Sequence, residues 1–357
     1  MSPHRNIRVL VVDDSAVVRT VLREGLSRDP RIEVVGTARD AYEARDQIVR
    51  LRPDVMTLDV EMPRMDGVNF LRRLMPQYPL PVVMVSSATQ KGQAVTLAAL
   101  EAGAVDFVAK PSRQMSMGVE QMMVELRTKV KIASTANVAH WKFKRQPVHT
   151  SATSRFRPDT LVALGASTGG TEAIRTVLTD LPADFPPVLI VQHMPAGFTR
   201  TFASLLNEVS SMQVREAEQD DVLVPGRALV APGGMQVRVV RRGGKLMVEY
   251  AGSKRVNGHC PSVDVMMWSA AKACSKNCMG VLLTGMGADG ARGMLAIRQA
   301  GGPTVAQDEE TSVVFGMPRE AWQIGGAEVL KPIGRVAEHL IETLSVSEDG
   351  RDLGRNR

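Results

Sequence analysis

Along residues 1–133 an apolar, strand-like run gives way to a helix-patterned stretch, and the alternation occurs five times. The runs are Ile7–Val12, Ile32–Val35, Val55–Leu58, Pro81–Val85 and Val105–Val108. Parallel strands need long crossovers, and helices between short apolar strands supply them. The pattern therefore predicts an α/β unit with a doubly wound, five-stranded parallel sheet covered by helices on both faces. In such sheets the functional groups gather at the carboxyl ends of the strands.

The polar residues follow that rule. Asp13 and Asp14 directly follow the first run, Asp59 the third, Ser86 the fourth, and Lys110 the fifth, next to Pro111. Converging carboxylates repel one another unless a cation sits among them, and hard oxygen ligands suit Mg²⁺. A carboxylate beside magnesium, with a lysine to neutralise transferred oxygens, is equipped to accept a phosphoryl group. Taken singly, loop aspartates cap helices and a strand-end lysine is solvated. Five such residues at four of the five strand ends ask for more. This segment resembles a response-regulator receiver domain. The resemblance implies phosphorylation at Asp59, within Leu58-Asp59-Val60-Glu61-Met62-Pro63-Arg64-Met65-Asp66-Gly67, and magnesium carboxylates at Asp13 and Asp14. It further implies a backbone ligand to the metal at Glu61, a phosphate-sensing hydroxyl at Ser86, an aromatic switch at Phe107 and the family lysine at Lys110.

At 357 residues the chain is too long for one ordinary core, so a second domain is expected. Patterning stops at Ser134. Residues 134–159 mix Ser, Thr and Pro with Lys142, Lys144, Arg145, Arg155 and Arg157, and interleave Trp141 and Phe143. Basic and aromatic residues together suit a nucleic-acid contact, but the composition favours a solvated linker, which is the reading adopted. The net charge of +6 favours acidic partners, an acidic protein surface among them. No apolar run approaches the roughly 20 residues that span a bilayer, and Met1–Arg8 is polar, so a cytoplasmic protein without membrane insertion is expected. Cys260, Cys274 and Cys278 are too few for a disulfide framework. With His259 they lack the Cys-x-x-Cys spacing of structural zinc, and no cofactor is expected in the second domain.

That domain is placed at 160–345, with a polar tail at 346–357. The run Leu161–Leu164 leads into Gly165-Ala166-Ser167-Thr168-Gly169-Gly170 and a helical stretch, Glu172–Leu178. A serine at such a strand-to-helix turn is reachable, beside backbone N–H groups that favour negative charge. The run Pro187–Val191 ends in Gln192-His193, and Gly280–Leu283 leads into Thr284-Gly285-Met286-Gly287-Ala288-Asp289-Gly290. Ala228–Ala231, Gln236–Arg241 and Leu246–Tyr250 read as antiparallel strands, the last two joined across Gly243-Gly244. A helix is expected from Ser262 to about Lys272, and later runs near Thr304 and Val329 extend the sheet.

Ser167, His193 and Asp289 thus each follow a parallel strand, where they can converge as nucleophile, base and orienting acid. His259 and His339 are alternative bases, although His339 lies within the helical pattern Val336–Thr343. The Gly-x-Ser-x-Gly match does not by itself establish an α/β-hydrolase. The segments Gly165–Thr171, Gln192–Thr199, Pro261–Val265, Leu283–Gly290 and Val314–Glu320 resemble the catalytic domain of the chemotaxis protein-glutamate methylesterases, a family that joins it to an N-terminal receiver.

The strand and turn pattern makes the second domain a mainly parallel α/β catalytic domain with an antiparallel hairpin. The resemblance implies Ser167 as nucleophile, His193 as base, Asp289 as orienting acid, and an oxyanion site at the backbone N–H groups of Thr168 and Met286. The activity implied is demethylation of γ-glutamyl methyl esters on methyl-accepting chemotaxis receptors, releasing methanol, and deamidation of particular receptor glutamines. A chemotaxis histidine kinase is the implied phosphodonor, and phosphorylation of Asp59 is expected to relieve inhibition by the receiver; no nucleic-acid partner is expected. Cys260 departs from relatives, which tend to carry a basic residue there.

Overall fold

A computed structural model of the chain describes residues 5–87, 89–110, 116–138 and 155–346. Pro111, the linker residues Trp141, Lys142, Phe143, Lys144 and Arg145, and the tail after Val346 lie outside the described residues. The chain divides into two compact units, Met1–Arg145 and Gln146–Arg357.

The first unit runs β1 (Ile7–Val12), α1 (Ala16–Leu26), β2 (Ile32–Ala38), α2 (Ala41–Leu51), β3 (Val55–Asp59), α3 (Gly67–Leu74), β4 (Val82–Ser87), α4 (Gln90–Glu101), β5 (Asp106–Lys110) and α5 (Ser116–Ala133). Its strands are all parallel, in the order β2-β1-β3-β4-β5. The central strands are buried on both faces, which is why Val9, Leu10, Val11 and Met56, Leu58 read as unbroken apolar runs. Helices start where a side chain takes over an orphan backbone donor: Ser15 caps α1, Asp40 α2, Asp66 α3 and Thr89 α4. The strand order reverses between β1 and β3, and that crevice receives Asp13 and Asp59.

The second unit runs β6 (Arg155–Phe156), β7 (Leu161–Ala166), α6 (Gly170–Thr179), β8 (Val188–Gln192), α7 (Phe198–Val209), β9 (Gln213–Glu216), β10 (Arg227–Val230), β11 (Val237–Arg242) and β12 (Lys245–Tyr250). It continues through α8 (Val263–Cys274), β13 (Cys278–Leu282), α9 (Ala291–Gln299), β14 (Thr304–Gln307), α10 (Met317–Gln323), β15 (Val329–Lys331), α11 (Ile333–Leu344) and β16 (Ser345–Val346). Seven strands form one sheet, β15-β14-β13-β7-β8-β10-β9, and every pairing in it is parallel.

The expectation that Ala228–Ala231 is an antiparallel strand is therefore corrected. Arg227–Val230 lies between β8 and β9, parallel to both, and burial of Ala228, Leu229 and Val230 fits an interior strand. The strands β11 and β12 do form an antiparallel hairpin. Its turn residues, Gly243 and Gly244, both take positive φ, +56° and +78°, as a tight two-residue turn requires. Short pairing of β16 with β6 brings together the first and last described residues of the unit.

One core layer joins Leu161, Ala163, Leu189, Val191 and Leu282 from the sheet to Val263, Met266, Met267, Ala270 and Met294, Ile297 from α8 and α9. From β7 the chain first builds outward through β8, then returns to place β13 on the other side of β7. The crevice at that reversal lies at the ends of β7 and β13.

Candidate active site

The turn after β7 admits no side chain where glycine stands. A Cβ on Gly165 would lie 2.3 Å from Val263 Cγ1, and one on Gly170 would lie 2.2 Å from Gln192 Oε1. Gly285, from the strand next door, is so close that its Cβ would fall 2.7 Å from Ser167 Cβ. This packing brings the loop after β13, with Met286 half exposed, against the Ser167 turn. The Ser167 N–H donates to Thr284 O at 3.0 Å. The Ser167 carbonyl accepts from Gly170 N at 2.7 Å and from Gln192 Nε2 at 2.9 Å. Thr284 Oγ1 also donates to Thr168 O at 3.0 Å, stitching the two strand ends together.

His193 follows β8, its N–H donating to Ala166 O at 3.2 Å. Its Nε2 lies 2.8 Å from Asp289 Oδ2, with both side chains buried. Asp289 also accepts from Asn257 Nδ2 at 2.8 Å, Ser262 Oγ at 2.7 Å, Val263 N at 2.7 Å and Asp264 N at 3.3 Å. The last two are free donors at the start of α8, where the helix favours negative charge. Burial alone would raise the Asp289 pKa, but the bonds from His193, Asn257 and Ser262 outweigh it and hold it at about 2.

An ionised acceptor at Nε2 assigns the ring proton to that atom and leaves the lone pair on Nδ1. His193 Nδ1 is buried and has no hydrogen-bond partner among the described residues. Ser167 Oγ is thus not bonded to it, a spacing common before substrate tightens a site.

The structure brings three further residues to this centre to which the sequence assigned no role. Asn257 joins Asp289 to Asp264, which is itself buried and accepts from Gly293 N at 2.7 Å. Burial raises the Asp264 pKa, against the Gly293 bond. Ser262 caps α8 while donating to Asp289. His259, considered from sequence as a rival base, instead stacks on His193 with ring centroids 3.6 Å apart and planes at 4°. His339 lies within α11. Cys274 and Cys278 are buried with hydrogen-bonded thiols, and Cys260 is half buried beside His259.

In the first unit the carboxylate oxygens of Asp13, Asp14 and Asp59 lie within 4.8 Å of one another. Lys110 Nζ reaches both Asp13 Oδ2 and Asp59 Oδ2 at 2.9 Å. Burial raises the Asp59 pKa to about 6 despite the lysine, and the Asp13 charge adds to the rise. Three acids around one ammonium leave negative charge uncompensated, and this all-oxygen donor set fits a hard divalent cation. Glu61 sits on the loop after β3 with an exposed side chain. The Ser86 and Thr96 hydroxyls lie 2.6 Å apart, and Phe107 is buried in β5 under Lys129, whose Nζ is 5.1 Å from the ring centroid.

Comparison with known proteins places both units. Residues 162–340 match the CheB methylesterase family and residues 9–119 the response regulator receiver domain family. The protein-glutamate methylesterase/protein-glutamine glutaminase of Syntrophotalea carbinolica is 57% identical over 347 residues, covering 96% of this chain and 98% of that protein. A protein of the same description from Sulfurimonas denitrificans is 47% identical over 349 residues, covering 95% and 99%. The crystal structure of the Thermotoga maritima CheB methylesterase catalytic domain, 37% identical, covers 51% of this chain and 97% of its own with a TM-score of 0.50. The chain belongs to the protein-glutamate methylesterase/protein-glutamine glutaminase family, with a response-regulator receiver ahead of the CheB methylesterase domain.

Proposed function

We propose that the chain is a serine hydrolase that cleaves γ-glutamyl methyl esters on methyl-accepting chemotaxis receptors and deamidates particular receptor glutamines. The observation that carries this reading is the His193–Asp289 pair, whose unpartnered Nδ1 belongs to the residue following the strand beside the Ser167 turn. Ser167 Oγ attacks the ester carbonyl carbon while His193 Nδ1 takes its proton. Asp289 holds the Nε2–H and stabilises the imidazolium. Because the Ser167 amide is committed to Thr284, the N–H groups assigned to the oxyanion are those of Thr168 and Met286. His193 returns the proton to the departing methoxide, giving methanol. Water, deprotonated by the same Nδ1, then attacks the acyl carbon and frees Ser167 and glutamate. With glutamine the group leaving in the first step is ammonia.

In the receiver, Asp59 is the phosphoryl acceptor from a histidine kinase, with Lys110 beside it and Ser86 to sense the phosphate. Asp13, Asp14, Asp59 and the Glu61 carbonyl would hold Mg²⁺, which supplies charge neutralisation for the carboxylates and transferred oxygens. Phosphorylation relieves an inhibition of the hydrolase, with Phe107 as part of the switch. Methanol release from methylated receptor membranes is the test, measured with and without a small phosphodonor and Mg²⁺. Ser167→Ala should lose about a thousandfold or more in turnover, and near-normal release by it would refute the nucleophile. Asp59→Asn should keep basal release and lose the response to phosphodonor; a full response would move the phosphorylation site elsewhere.

A further inference from the structure

We propose that His259 is a positioning residue that fixes the plane of the His193 ring; this rests on the catalytic reading above and adds a component to it.

The single bond from His193 Nε2 to Asp289 anchors one edge of the imidazole but leaves the ring able to pivot about that contact. Terminal sp³–sp² torsions are broad, so the side chain itself does little to prevent the swing. A pivot would carry Nδ1 out of line with the Ser167 hydroxyl, and misalignment at a proton-transfer distance is costly in rate. His259 closes off that motion by lying face to face on the ring, 3.6 Å away and 4° from parallel.

A clamp must itself be held. His259 exchanges backbone hydrogen bonds with Val256, N to O and O to N, both at 2.9 Å. Its carbonyl also accepts from Gln236 Nε2 at 2.9 Å. Gln236 is buried, and its Nε2 reaches Lys254 O at 2.9 Å while its Oε1 accepts from Ser262 N at 2.8 Å. The same short turn sends Asn257 to the Asp289 carboxylate at 2.8 Å. One loop therefore fixes the face of the base and the far oxygen of its acid.

The electrical state of His259 agrees with the geometry. Burial, and then the nearness of His193, lower its pKa to about 4, with Asp289 opposing and Arg255 adding to the shift. His259 is neutral under working conditions, so no fixed cation opposes the charge that His193 gains when it takes the serine proton. The same shift makes His259 a weaker base than an ordinary imidazole, so it competes poorly for the serine proton.

The experiment uses the full chain. In His259→Ala, kcat for methanol release should fall roughly tenfold with KM within about twofold, because ground-state binding is untouched while alignment is lost. His259→Phe restores a flat, neutral face and should return kcat to within about threefold of wild type. The His193 Nε2–H proton resonance should be sharp in wild type and His259→Phe, and broadened in His259→Ala. Wild-type kcat in His259→Ala, a change in KM alone, or a His259→Phe with normal melting but a kcat as low as His259→Ala would each overturn the proposal. Turnover by Ser167→Ala would instead overturn the catalytic reading, and the His193 resonance would still report whether the clamp exists.

Discussion

Asp59 ends β3 and Asp289 lies on the loop after β13, each on the carboxyl side of a parallel sheet where the strand order reverses, yet their environments are opposite. Asp289 meets five protein donors, and its pKa is held at about 2. Asp59 meets Lys110 and the Val60 N–H at 2.8 Å, faces Asp13, and has its pKa raised to about 6. A carboxylate that the fold has satisfied is fit to hold a histidine still. One left short of positive charge is fit to receive something, whether a cation or a phosphoryl group. The contrast shows that architecture sets where an acid stands, and donors around it set what it does.

Substitutions separate the two roles. Asp289→Asn should lower kcat by about 10⁴-fold, because an amide in that place no longer fixes the His193 tautomer; methanol release at saturating substrate checks it. A loss below about tenfold would make Asp289 a structural acid and erase the contrast. In the receiver, Mg²⁺ at a hundred times its Kd should raise unfolding stability by about 2.7 kcal/mol, and Asp13→Asn should abolish most of that gain in thermal melts. The Asp289 pKa is depressed on folding, so its stabilisation is complete above the unfolded value near 3.8 and is lost as pH falls through about 2. Acid unfolding of wild type should therefore steepen between about pH 5 and 1, and Asp289→Asn should flatten that limb. The smallest effect is expected from Asn257→Ala, which removes one of several donors. It should raise the Asp289 pKa and cost roughly three- to tenfold in kcat, with the acid-unfolding midpoint moving upward.

Much of this was legible in the sequence because parallel strands buried on both faces leave continuous apolar runs, as in Val9–Val12 and Leu161–Leu164. Strand-end polar residues such as Asp13, Ser167 and His193 then stand out against them. Gln213–Glu216 was not legible: it is an edge strand whose only buried residue is Val214, so no apolar run marks it. Ala228–Ala231 was grouped with the two antiparallel strands that follow it, whereas the direction of Arg227–Val230 is set by parallel pairing with β8 and β9. Asn257 and Asp264 were invisible as site residues for a different reason. Their roles arise from bonds to Asp289 across separations of 32 and 25 residues, Asn257 from a polar loop and Asp264 through its backbone N–H at the start of α8, and neither position carries a periodicity that would announce its role.

The placement of β13 beside β7 has a consequence for synthesis. Ser167 and His193 are synthesised first; Asp289 follows His193 by 96 residues, on the loop after β13, a strand that pairs with β7 on one side and with the later-made β14 on the other. At ordinary elongation rates that delay is about 5–20 s. Throughout it the nascent domain carries Ser167 and His193 without the carboxylate that bonds the His193 ring. The His193–Asp289 pair thus cannot form until β13 and the loop after it have been made.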